Sequence, residues 1–124
     1  MKDPTSPVCR TISTLLSRIG DKWTVLVVST LGEGPRRFNE LRREIPSVSQ
    51  RMLTLTLRNL ERDGLVSRAV TPSIPPRVDY ALTPLGHSLR EPIQALSDWA
   101  IANIAAIHEA QHRFDAAADE AVAA

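Results

Sequence analysis

The sequence has few of the features that define secreted, membrane or disulfide-linked proteins. Among its 124 residues there is one cysteine, Cys9, so no intramolecular disulfide can form and a reducing compartment is favoured. No stretch approaches the roughly 20 continuous apolar residues that a membrane span needs. The residues before Val8 contain no apolar run of the signal-peptide type. We therefore expect a cytoplasmic protein without a membrane segment.

Patterns typical of enzymes and metal sites are also scarce. Gly32 and Gly34 lie in a turn that no strand precedes, so they do not form a nucleotide-binding fingerprint. His108 and His112 have a spacing that can hold zinc, but no third ligand is nearby. No Cys–His or Ser–His–carboxylate arrangement can be picked out. We therefore predict neither an enzyme nor a bound cofactor or metal.

Acidic and basic residues are nearly balanced overall but unevenly distributed. The net charge of +1 divides into +5 for residues 1–82 and −4 for residues 83–124. Between Arg36 and Arg62 there are seven arginines and three glutamates. A basic segment of this kind indicates a nucleic-acid surface in that part of the chain.

The spacing of apolar residues predicts four helices in the first half of the chain. Ser6 and Ser49 are good N-caps for the first and fourth helices, and Pro7 suits a first helical position. Pro46 stops the third helix, and residues 47–49 connect it to the fourth, as in a helix-turn-helix unit. The predicted helices are Pro7–Ile19, Lys22–Leu31, Phe38–Ile45 and Gln50–Arg62.

After Gly64 the apolar period changes from the helical to the strand value. Residues 65–71 and 77–83 alternate like two strands, and the proline-rich residues 72–76 form the loop between them. This pattern predicts a β-hairpin, which would be the wing of a winged helix.

A further helix is predicted to begin at Thr83–Pro84 and to extend to about Phe114, with Pro92 kinking or restarting it. The acidic, alanine-rich residues 115–124 are expected to be a frayed tail. The predicted fold is mainly α with a small β-hairpin: a winged helix-turn-helix with terminal helices. We expect a single domain over residues 1–124, ordered from about 8 to 114.

The Gln50–Arg62 helix has one apolar and one basic side. At about 100° per residue, its buried side is predicted to carry Leu53, Leu57 and Leu60. Arginine can bond two acceptors of a guanine, and threonine can use its hydroxyl or methyl group on a base. The opposite side, which we predict to enter the DNA major groove, carries Arg51, Thr54, Leu55, Arg58 and Arg62.

Other candidate DNA contacts flank this helix. Ser49 and Gln50 at its N-terminus offer donors and a dipole that suit a phosphate. Arg36 and Arg37 precede the helix-turn-helix unit as phosphate clamps, although a solvated turn is the alternative.

Two more arginines, Arg68 and Arg77, lie on the predicted hairpin strands. There they could follow backbone phosphates or enter the minor groove. The alternative for each of them is a cross-strand pair with Asp79.

Five stretches carry the motifs of a known family: Ile19–Thr24, Gly34–Leu41, Ser49–Thr54, Leu57–Val66 and Pro75–Thr83. They resemble the HxlR family of bacterial winged-helix regulators, which is related in architecture to the MarR type. The resemblance covers about residues 8 to 100. It implies a homodimeric transcription factor with helices from both chain ends at the dimer interface.

The sequence departs from the family pattern at two positions. Leu55 stands where the family often has glutamine, so the family's base preference there is not carried over. It could instead contact a thymine methyl group, a dimer mate or the wing. Pro92 interrupts a helix that usually runs on, which bears on the geometry of the dimer.

The apolar stripes of the terminal helices are longer than a monomer of this size needs. A symmetric helical interface would cover them, and it would place two recognition helices about one DNA turn, roughly 34 Å, apart on a palindromic site. The alternative is packing within one chain. The predicted dimerisation residues are Ile12, Leu16, Ile93, Leu96, Trp99, Ala100, Ile104 and Ile107.

Two interpretations of Cys9 stay open. It would be the third residue of a helix capped by Ser6, where the dipole and neighbouring Arg10 favour a thiolate. Some HxlR-type regulators sense quinones, aldehydes or oxidants through a cysteine near this position, so the resemblance implies a candidate redox sensor. Cys9 also lies close enough to the apolar stripe to be a small buried hydrophobe.

The sequence thus predicts a DNA-binding transcriptional regulator whose partners are double-stranded DNA and a second copy of the chain. An electrophile or small molecule is a candidate inducer, the latter between Trp23 and Trp99 at a dimer interface, although core packing also explains both tryptophans. The alternative is a winged-helix protein-interaction module without DNA readout, against which the arginines argue.

Overall fold

The computed structural model describes residues 5–123, and it confirms a mainly α fold with a small β-hairpin. The described elements, in chain order, are α1 (Pro7–Ile19), α2 (Lys22–Leu31), α3 (Phe38–Glu44), α4 (Gln50–Arg62), β1 (Val66–Thr71), β2 (Arg77–Leu82), α5 (Pro84–Ser88) and α6 (Arg90–Ala123).

Side-chain caps fix where the helices begin. The Oγ of Ser6 accepts the Cys9 amide at 3.0 Å, and the Oγ of Ser49 accepts the Met52 amide at 3.0 Å, as the sequence predicted. Asp21 caps α2 by accepting the Trp23 amide at 2.8 Å. Each bond satisfies an N–H that the first helical turn leaves without a backbone partner.

The core of the winged helix lies between α2, α3, α4 and the base of the hairpin. Burying these aliphatic side chains supplies the main driving force for folding. The fully buried side chains are Val27, Val28, Leu31, Leu41, Leu53, Leu57 and Leu60.

The hairpin is antiparallel, with Val66 opposite Leu82 and Thr71 opposite Arg77. Arg36 forms an isolated β-bridge with it: the Arg36 amide donates to the Tyr80 carbonyl at 2.9 Å, and the Tyr80 amide donates to the Arg36 carbonyl at 2.8 Å. These two bonds join the start of the helix-turn-helix unit directly to the wing.

Pro92 does not kink a continuous helix. The helix that begins at Pro84 ends at Ser88, and a new one begins at Arg90, so the restart predicted from Pro92 is confirmed two residues earlier. Pro92 therefore lies in the first turn of α6, where proline removes no helical hydrogen bond.

The prediction that helix stops near Phe114 is wrong. α6 continues through Ala123, because residues 115–123 are mostly alanine, aspartate and glutamate and contain no glycine or proline to end a helix. Contacts divide the described residues into one compact unit that ends at Arg90 and a second that begins at Glu91. Within residues 5–123 no helix is long and apolar enough to cross a membrane.

Candidate nucleic-acid interface

The predicted division of α4 into a buried and an exposed side is confirmed. Leu53, Leu57 and Leu60 are buried in the core. The exposed side carries Arg51, Thr54, Leu55, Arg58 and Arg62. The helix therefore presents its basic side to solvent while its leucines fix its position.

Two of these side chains meet the wing in one cleft. Thr54 and Arg58 of α4 line it together with Arg68 of β1, and its volume is about 540 Å³. Gln50, at the start of α4, lies at the same cleft. The structure thus brings four of the predicted DNA-binding residues onto one surface, shared by the recognition helix and the hairpin.

A second open cleft, of about 830 Å³, lies between α3 and the end of the wing. Arg37 and Arg77, both predicted DNA contacts, line it, and so does Arg43. Glu40 also lines the cleft, but three guanidinium groups outnumber its one carboxylate, so the cleft favours an anion such as a phosphate.

Arg36 makes more contacts within the chain than its predicted role as a phosphate clamp assumed. Its Nε donates to Glu44 at 2.7 Å, and its Nη1 donates to the Gly34 carbonyl at 2.9 Å. The hydrogen bond that Arg36 donates to Glu44, followed by the negative charges of Glu44, Glu33 and Glu40, raises the pKa of Arg36 above its ordinary value. Arg36 therefore stays charged and holds the turn before α3.

The two wing arginines differ in their surroundings. The Nε of Arg77 donates to Asp79 at 3.0 Å, but both residues lie on β2, so this pair runs along one strand and is not the cross-strand pair that the sequence suggested. Because half of the Arg77 side chain is exposed, this ion pair still leaves it accessible. Arg68 lies opposite Tyr80 on the face that borders α4.

Leu55 lies at the edge of the exposed side of α4 rather than at its centre. It is 50% exposed and borders a groove of about 370 Å³ with Thr14, Ser17 and Arg18 of α1. The predicted neighbours of Leu55 were a thymine methyl group, a dimer mate or the wing. In the structure its neighbour is α1.

The sequence did not select Arg42, Arg43 and Ser47 as functional residues. They line an open cleft at the turn between α3 and α4, together with Asn39. Ser47 has φ of 76°, a left-handed conformation that turns the chain sharply between the two helices. The four-residue spacing of Asn39 and Arg43 on α3 was the available signal, because such residues share a helix face.

The predicted dimerisation residues differ in exposure. Leu16 of α1 is exposed, as are Leu96, Trp99, Ala100 and Ile104 of α6, whereas Ile12 and Ile107 are half-buried. Ile93, by contrast, is only 6% exposed, so little of its side chain is available to a second copy of the chain.

α1 is joined to the recognition helix by an ion pair. The Nη1 of Arg18 lies 2.6 Å from both carboxylate oxygens of Asp63, the residue that ends α4. Both side chains are about one-fifth exposed. Cys9 is half-buried in the first turn of the same helix, α1.

The fold and the basic surface define a winged helix-turn-helix protein, and comparisons give its family. The HxlR-like helix-turn-helix family model matches residues 18–108. An uncharacterised HTH-type transcriptional regulator of Methanothermobacter thermautotrophicus is 48% identical over 71% of this chain and 67% of that protein. The chain belongs to the HxlR-like helix-turn-helix family of transcriptional regulators.

Solved structures agree with this assignment. The redox regulator HypR in its reduced form superposes with a TM-score of 0.73 and 39% identity, covering 80% of this chain and 98% of that one. The transcriptional regulator YtfH from Salmonella typhimurium gives 0.74 and 34%, covering 89% and 95%.

Proposed function

We propose that this regulator binds double-stranded DNA sequence-specifically, as a homodimer on a palindromic operator in the cytoplasm. The observation that carries the proposal is the cleft in which Thr54 and Arg58 of α4 meet Arg68 of the wing. A helix fits the major groove of B-DNA, and arginine and threonine can read base edges there. The arginines of the wing and of α3 suit the flanking phosphates.

The homodimer part of the proposal rests on exposed apolar side chains in the terminal helices. Leu16 is 57% exposed in α1, and Leu96 and Trp99 are 64% and 60% exposed in α6. Covering such groups is favourable by about 25 cal/mol for each Å² removed from water. Two-fold pairing would also set two recognition helices about one turn of DNA apart.

Trp99→Glu is expected to convert the dimer into a monomer at micromolar concentration. A carboxylate in the proposed interface would lose its hydration without gaining a partner. Because Trp99 is exposed in the single chain, the variant is expected to remain folded. Sedimentation equilibrium measures the mass, and circular dichroism checks the fold.

Ala105→Glu is the matched control, since Ala105 is exposed on the same helix about 120° away from Trp99. This control is expected to stay dimeric. A Trp99→Glu protein that sediments as a dimer would contradict the proposed interface.

We also propose that a thiol-reactive signal acts through Cys9. A solved neighbour is named a redox regulator, and Cys9 lies in the helix that the Arg18–Asp63 pair ties to the end of α4. A thiolate that adds to an activated alkene such as a maleimide forms a sulfur–carbon bond while the carbon–carbon π bond breaks and the neighbouring carbon takes a proton from water. The added bulk would move α1. That movement would change the spacing of the two recognition helices.

N-ethylmaleimide is expected to lower the affinity of the wild-type protein for its operator by about tenfold, or 1.4 kcal/mol. Cys9→Ser is expected to bind with the same affinity with and without the reagent. Fluorescence anisotropy with a labelled operator measures both, and mass spectrometry verifies the single adduct. An equal loss in Cys9→Ser would show that the thiol is not the sensor.

A further inference from the structure

The wing ends in an apolar side chain that nothing in the described chain covers. Ile74, at the centre of the loop between β1 and β2, is fully exposed, more than any other large apolar residue of the described part. Single exposed aliphatic residues are common on surfaces and need no special explanation. Three features distinguish Ile74 from such residues: the rigidity of its loop, the charges near it and its distance from α4.

The loop that carries Ile74 has little freedom. Pro72, Pro75 and Pro76 surround the residue, and each proline fixes its own φ angle. The Oγ of Ser73 also donates to the Pro75 carbonyl at 2.7 Å. Ordering such a loop on a partner costs little conformational entropy, so the apolar tip is prepared for contact.

Basic side chains outnumber acidic ones in the cleft beside this tip, where Glu40 is the one carboxylate among the lining residues. Ser73, Pro75 and Pro76 line the same cleft as Arg37, Arg43 and Arg77. An apolar tip beside three arginines complements a DNA minor groove, where phosphates lie on both sides and stacked base pairs form the floor. A purely apolar protein partner would not need the arginines.

The wing is long enough to reach that groove when α4 occupies the major groove. Arg68 lies at the cleft beside α4, and Ile74 comes six residues later. At about 3.3 Å per residue this span is at most about 20 Å. The neighbouring minor groove is about half a helical turn away, or roughly 17 Å.

We propose that Ile74 is a wedge that inserts between two base pairs in the minor groove. This proposal rests on the DNA binding proposed above and adds a specificity-determining residue to it. Partial unstacking is easiest at pyrimidine–purine steps such as TA and CA, which kink readily. Ile74 therefore makes the protein select a flexible step at each flank of its operator, at a position that α4 does not contact.

The test uses the full chain and duplexes that carry its selected inverted repeat, with either TA or GC at each position beneath the wings. The wild-type protein is expected to prefer the TA duplex by about tenfold, and Ile74→Ala is expected to lose most of that preference. When 2-aminopurine replaces an adenine at the same step, its fluorescence is expected to increase on binding of the wild type or Ile74→Leu, but not on binding of Ile74→Ala.

Two controls separate the wedge from a charge effect and from a general loss of apolar surface. The slope of affinity against salt is expected to be the same for Ile74→Ala and wild type, because no phosphate contact is removed. Leu85→Ala, which shortens an exposed leucine in α5, is expected to leave both the step preference and the fluorescence unchanged.

The outcomes distinguish the two proposals. A wild-type protein that binds no duplex above background overturns DNA binding itself and the wedge with it. If the wild-type protein binds its operator, and Ile74→Ala shows the same step preference and the same 2-aminopurine signal, the wedge alone is overturned.

Discussion

Arg58→Ala is expected to weaken binding to the selected operator by about 1–3 kcal/mol, while binding to random DNA changes much less. Arg58 is exposed on α4 and lines the cleft shared with the wing, next to Thr54. A guanidinium that donates two hydrogen bonds to one guanine is lost entirely in alanine. The remaining phosphate contacts still support binding that ignores sequence.

Anisotropy titrations with the operator and with a scrambled duplex, at several salt concentrations, measure this effect. Arg37→Ala is the contrasting variant, because Arg37 is an exposed arginine of the cleft between α3 and the wing. This variant is expected to weaken binding to both duplexes alike, and to reduce the slope of log affinity against log salt concentration by about one. If Arg58→Ala weakens both duplexes equally, Arg58 contacts the backbone and does not read a base.

Gly86→Ala is expected to lower the free energy of unfolding by about 3 kcal/mol. Gly86 is buried in α5, and a β-carbon there would collide with the carbonyl oxygen of Leu65 and lie 3.1 Å from Cδ2 of Leu82. That carbonyl already accepts the Thr83 amide at 3.1 Å. The added methyl group must therefore displace the base of the wing.

Urea denaturation followed by circular dichroism gives the free energy of unfolding for this variant. The matched control is Gly32→Ala, where the new β-carbon would meet only the end of the Arg90 side chain, which is exposed and can move. Its cost is expected to stay within about 1 kcal/mol. A Gly86→Ala protein as stable as Gly32→Ala would show that the close contact of α5 with Leu65 is not rigid.

The elements with strong local signals were predictable from the sequence. Ser49 as N-cap and the leucine spacing gave α4 its observed bounds, Gln50 to Arg62. The change to alternating residues and the prolines at 72, 75 and 76 gave the two strands within one residue at their outer ends. In each case the signal lies within the element itself, and tertiary contacts reinforce it.

The missed features depend on residues that are distant in sequence. The pair of bonds between Arg36 and Tyr80 joins positions 44 residues apart, and no local pattern indicates it. Likewise the ion pair between Arg18 and Asp63 joins positions 45 residues apart, and no local pattern indicates it. The candidate site was predicted as a set of residues on one helix face and a hairpin. The ion pairs of Arg36 with Glu44 and of Arg77 with Asp79 became visible only in the folded chain.

The most direct test of the account is selection of preferred sites from a random pool of duplexes by the purified chain in reducing buffer. A homodimer that reads DNA through α4 predicts enrichment of an inverted repeat whose half-site centres lie about one helical turn, roughly 34 Å, apart. Selection that returns no sequence enriched over the starting pool would contradict sequence-specific DNA binding by this regulator.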